Sequence, residues 1–396
     1  MTDKISYSMT NLPQGWEVKK LEDVCKNSSS NLALKDIKNK SGDYPVFGAS
    51  GIVGYIDFYH KNKECLGIVK DGAGVGRVFV LPKNTSVIGT LNYLEALENT
   101  NLKYLFYFLC SIDFSKYILG SAIPHIYFRD YKKEQIPLPP LKEQERIVGI
   151  LDESFAKIDE SIKILEQDLL NLDELMQSAL QKAFNPLKDN AKENYKLPQG
   201  WEWKNLGEIA NTSSGGTPSR NKKEYWENGN IKWLKSGELN DGYIDFIEEN
   251  ITEEAIKNSS AKIFQKGTLL IAMYGATAGK LGILNLDSTT NQAICAFLHK
   301  DKNIKFLEKF LFYFLFFLRD KIIKDSFGGA QPNISQTYIK NLQIPLPPLK
   351  EQEQIASHLD ELSSHVKNLK QNYQAQIKDL QELKKSLLDK AFKGNL

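Results

Sequence analysis

The sequence predicts an α+β protein in which two mixed, strand-rich domains are joined by two long antiparallel coiled-coil helices, as an internal pseudo-two-fold repeat. Three observations carry this. Two halves of the chain share identical motifs, each half ends in a long apolar repeat of the coiled-coil kind, and the stretches between are rich in Gly, Tyr, Asn and β-branched residues.

The duplication is read directly. Leu12-Pro13-Gln14-Gly15-Trp16-Glu17 recurs as Leu197-Pro198-Gln199-Gly200-Trp201-Glu202, an offset of 185. The ten residues from Ile136 to Glu145 recur identically from Ile344 to Glu353, an offset of 208, and Ala183-Phe184 recurs at that offset as Ala391-Phe392. The second copy therefore carries 23 more residues, all inserted before the Pro-rich block.

Each copy has one plan. The Leu-Pro-Gln-Gly-Trp motif opens a region of short strands and loops, with one apolar helix near its end. Pro-Leu-Pro-Pro-Leu, which no helix interior or central strand tolerates, makes a stiff exit. A long helix follows. In the first, Leu151, Phe155, Ile158, Ile162, Leu165, Leu169, Leu172, Met176 and Ala179 step alternately by four and three. In the second, Ile355, Leu359, Leu362, Val366, Leu369, Tyr373, Gln376, Leu380, Leu383 and Leu387 do so, with Gln376 the single break. Leu141 to Phe184 as one helix would span about 66 Å. A stripe of this period needs a partner, and the two helices of one chain supply each other; a homodimeric zipper is the alternative. Asn185 to Lys196 reads as a polar linker between the copies.

Composition narrows the function. The 51 Lys and Arg stand against 49 Asp and Glu, a net charge of +2, which excludes a polybasic coat and leaves local basic surfaces open. Segment 141–184 is net −5 and 349–393 is net +1, whereas 1–140 and 185–348 are each +3, so a polyanion would meet the globular regions. The longest apolar run, Phe310 to Leu318, has nine residues, and a membrane span needs about 20. The first residues, Met1 to Ser6, hold no apolar signal core. Cys25, Cys65, Cys110 and Cys295 are far apart with no CxxC, which argues for reduced thiols rather than disulfides or zinc, and fits a cytoplasmic setting.

Two glycine turns occupy matching places: Asp71-Gly72-Ala73-Gly74-Val75-Gly76-Arg77 and Tyr274-Gly275-Ala276-Thr277-Ala278-Gly279-Lys280. Neither is a P-loop, since three residues separate the outer glycines and Leu281 follows Lys280. Both put a cation, Arg77 or Lys280, after a turn whose glycines let backbone N–H groups approach a phosphate. The alternative is a tight β-turn with an exposed cation. Ser213 to Arg220 is a polar loop that reaches a groove or is simply a flexible surface loop. Asn291-Gln292 and Gln331-Pro332-Asn333 supply amides suited to bidentate adenine contacts, or to capping turns. In the first copy Asn92-Tyr93 and Pro124 to Arg129 hold the matching places. Catalytic patterns are missing: the five His are framed by neither HExxH nor Gly-x-Ser-x-Gly, and Asn185-Pro186-Leu187 is not the Asn-Pro-Pro-aromatic loop of an amino-methyltransferase.

Pro-Leu-Pro-Pro-Leu-x-Glu-Gln-x-x-Ile followed by a long heptad helix, twice, resembles the specificity subunit of type I restriction-modification enzymes. So do Tyr44 to Tyr55, Trp233 to Leu239, Tyr274 to Gly282 and Gln331 to Ser335. The resemblance covers all but the first ten residues. It implies target-recognition domains at 1–140 and 197–348, a central coiled-coil helix at 141–184, a linker at 185–196 and a C-terminal coiled-coil helix at 349–396. It implies that each domain reads one half of a split, asymmetric site in double-stranded DNA, with the helices as a ruler and as the dock for two modification subunits. It further implies no catalysis and no cofactor in this chain, S-adenosylmethionine in the modification subunits, and ATP and Mg in added restriction subunits, with no membrane involved. Residue type and loop placement then nominate DNA contacts. They are Lys70, Arg77, Asn92, Tyr93, His125, Tyr127 and Arg129 in the first domain. In the second they are Arg220, Lys235, Ser236, Tyr274, Thr277, Lys280, Asn291, Gln331 and Asn333. A non-catalytic scaffold whose coiled coil joins two ligand-binding domains, and a methyltransferase or nuclease fused to a recognition domain, are the rival readings.

Overall fold

A computed structural model describes residues 12–38, 40–120, 122–184, 197–300, 306–326 and 333–396. The linker 185–196 and Gln331 lie outside the described residues. Contacts divide the chain into two units, Met1–Gln167 with Tyr373–Leu396, and Asp168–Asn372. Each contains one globular domain and a portion of both long helices.

In the first unit, strand Glu17–Lys20 pairs antiparallel with Gln135–Leu138, Glu17 opposite Leu138. The two repeated motifs thus bond to each other and bring the start and end of the domain together. Pro137 is tolerated because a two-stranded ribbon leaves one edge of each strand free. The main sheet has the order Cys25–Ser29, Leu91–Ala96, Cys65–Val69, Val78–Leu81, all antiparallel. Its central strand Cys65–Val69 is buried throughout because both faces are covered. Helix Leu102–Ser111 lies against this sheet, its start capped by the Asn101 carboxamide, which accepts from the N–H of Lys103 and Tyr104. A three-stranded sheet, Gly51–Ile56, Tyr44–Gly48, Ser86–Val87, packs beside it.

The second unit repeats this order and extends it. Glu202–Asn205 pairs with Gln343–Leu346. The main sheet runs Ala210–Ser214, Ile294–His299, Leu269–Ala272, Leu281–Leu284, with Gly242–Ile244 added in parallel at the edge. The smaller sheet runs Asn250–Ile251, Ile231–Leu234, Ser288–Thr290, with Ile263–Phe264 added. Helix Glu308–Lys324 replaces the shorter helix of the first unit and holds the apolar run, with Phe310 to Leu315 buried.

Bonding partners show where the extra residues sit. Val46 opposite Ser86 becomes Trp233 opposite Thr289, and Leu66 opposite Leu94 becomes Leu269 opposite Phe297. The offset is 187 at Trp233 and 203 at Leu269, so most of the insertion falls between them and builds both added edge strands.

The helices Leu141–Phe184 and Leu349–Phe392 each have 44 residues. They run antiparallel within each unit: Lys384 bonds Asp159 in the first, and Lys370 bonds Asp173 in the second. The inward stripe of the second helix departs from the heptad reading. Gln376 is exposed while Ile377 is half-buried, and Leu369 and Leu383 are 39% and 46% exposed. Lys370 and Lys384 lie along the half-buried side instead, their stems covering apolar surface while the ammonium groups reach carboxylates of the other helix.

Each globular core is completed by a long-helix end. Phe392 packs edge-on against Tyr104 and Phe108 in the first unit, ring centroids 5.2 and 5.4 Å away. Phe184 meets Phe310 and Phe314 in the same way in the second, at 5.3 and 5.6 Å. The repeated Ala-Phe pair closes the core in both places.

Candidate nucleic-acid interface

Both domains are fastened to a long helix by the same polar contacts. Gln144, fully buried, accepts from the N–H of Asn101 at 2.7 Å and donates to the carbonyls of Asn99 and Pro139. Gln352 accepts from Leu307 N–H at 2.8 Å and donates to the Pro347 carbonyl. One helical turn or more further on, Asp152 accepts from Lys103 and the Tyr107 hydroxyl, both at 2.6 Å. Asp360 accepts from Lys309 and, at 2.6 Å, the Tyr313 hydroxyl. Burial would raise the Asp152 carboxyl, but hydrogen bonds from Lys103 and Tyr107 hold it below the usual carboxylate range. These anchors fix the loops at the far end of each sheet.

In the first domain three segments converge there. The glycine turn links Cys65–Val69 to Val78–Leu81, with Gly72 and Gly76 at φ of +95° and +84°, which side chains with a Cβ rarely adopt. Gly76 also packs against Phe114, where a Cβ would stand 2.9 Å from the ring-bearing carbon. The hairpin loop Gly48-Ala49-Ser50-Gly51 lies beside it, and Arg77 donates to the Ala49 carbonyl at 3.0 Å. The third segment is bonded to the turn through Gly72 N–H to Pro124 O and Ile126 N–H to Lys70 O, both 2.9 Å. A cleft of about 440 Å³ runs between hairpin loop and turn, lined among others by Ser50, Asp71, Gly74 and Arg77.

Lys70, Arg77, His125, Tyr127 and Arg129 are therefore brought together. Tyr127 is 42% exposed, with His125 edge-on at 5.1 Å and the Arg129 guanidinium over its ring at 4.5 Å. Asn92 and Tyr93 are not part of this surface, which corrects the sequence reading. They lie on the buried strand Leu91–Ala96 at 7% and 1% exposure. The Tyr93 hydroxyl accepts from Val87 N–H at 2.8 Å, and burial pushes it up to about 12.

The second domain builds the same face at the same place. Gly275 and Gly279 have φ of +81° and +80°, and the bonds Gly279 N–H to Ala272 O and Lys280 N–H to Thr277 O repeat those of Gly76 and Arg77. Tyr274 bridges to Asn333, as Asp71 does to His125. Burial raises the Tyr274 hydroxyl against the pull of its bond with Gln292, which also contacts Thr217. Lys235, Ser236 and Gly237 take the place of the first domain's hairpin loop. Tyr274, Thr277, Lys280, Ser236 and Asn333 thus share one end of the sheet.

Four further expectations change. Asn291 N–H bonds Leu234 O just as Ile88 N–H bonds Phe47 O, so Asn291 corresponds to Ile88 and not to Asn92. The Asn291 side-chain oxygen is buried with no partner, so it faces inward. The loop Ser213 to Arg220 is packed rather than flexible: a Cβ on Gly215 would fall 2.0 Å from Thr290 O, and the Trp233 indole donates to Gly216 O. Arg220 and Lys235 are not free cations. Both bond Glu249, at 2.6 and 2.8 Å, and Arg220 stacks 3.7 Å above Trp226. Burial works to raise Glu249, yet the two cations hold it below its ordinary range. Finally, the turn's N–H groups are largely spent within the protein, those of Gly72, Val75, Gly76 and Arg77 all donating to backbone carbonyls. The turn displays its cation rather than a cradle of amides. Glu249, Gln292 and Thr217 were missed as partners because their contacts join segments far apart in the chain.

Two loop faces of one construction, bearing different side chains on a duplicated helical frame, define a class of recognition protein. The chain belongs to the family described as the type I restriction modification DNA specificity domain, whose model matches residues 13–169 and 198–379. It is 27% identical over 272 residues to the specificity subunit of the Escherichia coli type I restriction enzyme EcoR124I/EcoR124II, covering 67% of this chain and 64% of that protein. It is 34% identical over 180 residues to the MjaIX specificity subunit of Methanocaldococcus jannaschii, covering 44% of this chain and 40% of the relative. To the MjaVIII specificity subunit of the same organism it is 26% identical over 97% of this chain and 94% of the relative. The matched stretch spans less than two thirds of the first two relatives. A solved chain from work on complex assembly and conformational transition of the type I R-M system aligns over 99% of this chain and 100% of its own, with a TM-score of 0.76 and 23% identity. The HsdS subunit of Thermoanaerobacter tengcongensis aligns over 97% and 98%, with a TM-score of 0.56 and 22% identity. These share the fold. Among the described residues no helix is long and apolar enough to cross a membrane.

Proposed function

We propose that this chain is the non-catalytic DNA sequence-specificity subunit of a type I restriction-modification complex, with residues 1–140 and 197–348 each reading one half of a split, asymmetric site. The observation that carries this is the pair of matched loop faces. The same turn stands at the same place in both domains, with Arg77 in one and Lys280 in the other, yet the surrounding residues differ. Matched cations suit phosphate contacts, which position, and unlike neighbours suit base contacts, which specify. In the first domain the readers are His125, Tyr127 and Arg129, with Lys70 and Arg77 on phosphates. In the second they are Tyr274, Thr277, Ser236 and Asn333, with Lys280 on phosphate. The 44-residue helices set the distance between half-sites and carry two modification subunits. Those subunits bind S-adenosylmethionine and methylate adenine in the cytoplasm, and restriction subunits add ATP- and Mg-dependent action.

The test is a methylation map. The chain is co-expressed with its modification subunit in a methylation-deficient host and modified adenines are located by single-molecule sequencing. A split motif with two unlike halves is expected, and replacing residues 12–140 by another recognition domain should change one half only. A soluble complex that methylates nothing would refute the reading.

A further inference from the structure

We propose that Arg319 and Asp241 form a positioning pair for Lys280, and that the inserted residues of the second domain exist in part to build it. The inference rests on the phosphate role of Lys280 proposed above. Asp241 lies in the insertion, immediately before the added edge strand that starts at Gly242. Its φ is +60°, a conformation non-glycine residues adopt rarely and Asp and Asn most readily. Asp241 bonds the residue following Lys280 twice, once through its side chain and once through its backbone: Leu281 N–H donates to the Asp241 carboxylate at 3.0 Å, and Asp241 N–H donates to Leu281 O at 2.9 Å.

Arg319 grips the other side. It projects from helix Glu308–Lys324, donates through Nε to the carbonyl of Gly279 at 3.0 Å, and forks both terminal nitrogens onto Asp241. The residue before Lys280 and the residue after it are thus held by one planar, bidentate pair. Such geometry fixes direction as well as distance. Both side chains are largely covered, and Arg319 lies over the Phe316 ring at 4.5 Å. The guanidinium is spent inside the protein, leaving Lys280 exposed beyond it. In the first domain Phe114 backs Gly76, and Val78–Leu81 is the edge strand with no equivalent of Asp241 beside it among the described residues. Arg77 is steadied by its own bond to Ala49 O.

The test uses the full chain in complex with its modification subunits and a duplex carrying the mapped site, with binding measured across a salt series. Lys280→Gln should weaken binding about five- to tenfold and lower the slope of log K against log salt by about 0.9, as loss of one phosphate contact requires. Arg319→Met should reproduce both changes, and Arg319→Lys should restore part of them. The double variant should be no weaker than Lys280→Gln alone, since a pair acting through Lys280 has nothing left to position. Discrimination at the first half-site should hold, and the complex should remain folded at the assay temperature. Additive losses in the double variant, equal losses at both half-sites, or normal binding by Arg319→Met while Lys280→Gln is impaired would each overturn the positioning role. Normal binding by Lys280→Gln would overturn the phosphate reading itself.

Discussion

The first and second recognition domains share one scaffold and differ in how they manage charge. In the first, Arg77 and Arg129 stand exposed at the loop end, Arg77 bonded to a carbonyl and Arg129 stacked on Tyr127 and paired with its neighbour Asp130 at 3.3 Å. In the second, Arg220 and Lys235 are drawn onto Glu249, and Arg319 onto Asp241, which leaves Lys280 as the cation on the turn. A cation bonded to a carboxylate contributes little net field, so counting Lys and Arg in loops overstates the basic surface of the second domain. What is held constant between the copies is the attachment: the buried Gln, the Asp gripping Lys and Tyr, and the Phe at the helix end.

The largest test of that constancy is the Phe pair. Phe392→Ala should destabilise the first unit by about 3–5 kcal/mol, and Phe184→Ala the second by a similar amount, as lost aromatic burial and a cavity require. Denaturant unfolding should show two transitions, with only the matching one displaced. If one substitution shifted both equally, the division into two units would be wrong.

Next in size is the Asp anchor. Asp152→Asn should cost about 1–2 kcal/mol, toward the low end for a charge-assisted bond because Lys103 is half exposed. The carboxyl is depressed in the folded chain, so its contribution is present above the ordinary carboxylate range near pH 4 and is lost as pH falls through the lower folded value. The wild-type first unit should therefore lose stability more steeply than the variant below about pH 4, as followed by thermal melting across pH. Parallel acid profiles would remove Asp152 from the account.

Removing the turn cations probes the interface itself. Arg77→Ala and Lys280→Ala should each weaken DNA binding about tenfold and reduce the salt slope by about 0.9, and the double variant by about 1.8. An unchanged slope in a titration between low and physiological salt would rule out the phosphate role.

The smallest effect sharpens the contrast between domains. Glu249→Gln releases Arg220 and Lys235, so non-specific DNA binding at low salt should strengthen about two- to fivefold with a steeper salt slope. No first-domain counterpart of Glu249 couples two loop cations among the described residues. Weaker binding by Glu249→Gln would mean that the carboxylate positions the cations for contact rather than masking them.

Much of this architecture was legible because it rests on local pattern. Ten identical residues revealed the duplication, and Phe310 to Leu318 announced a buried helix. The glycine turns were legible too, because positive φ at both ends of such a loop asks for Gly. The inward side of the second helix was legible only in part. A 3,4 count assigns Leu369 and Leu383 to the seam, but the helices shift the contact toward Lys370, Ile377 and Lys384 where long stems and facing carboxylates compete with small differences in apolar area.

The sequence alone determined that there are two domains of one design on two long helices, since repeat, period and composition are properties of neighbouring residues. Tertiary structure decided the rest. Only pairing in the sheet buried Asn92 and Tyr93, because a strand's depth depends on what covers it. Only folding joined Arg220 to Glu249 and Arg319 to Asp241, across 29 and 78 positions, because an ion pair forms wherever the backbone brings opposite charges within reach, whatever their separation along the chain.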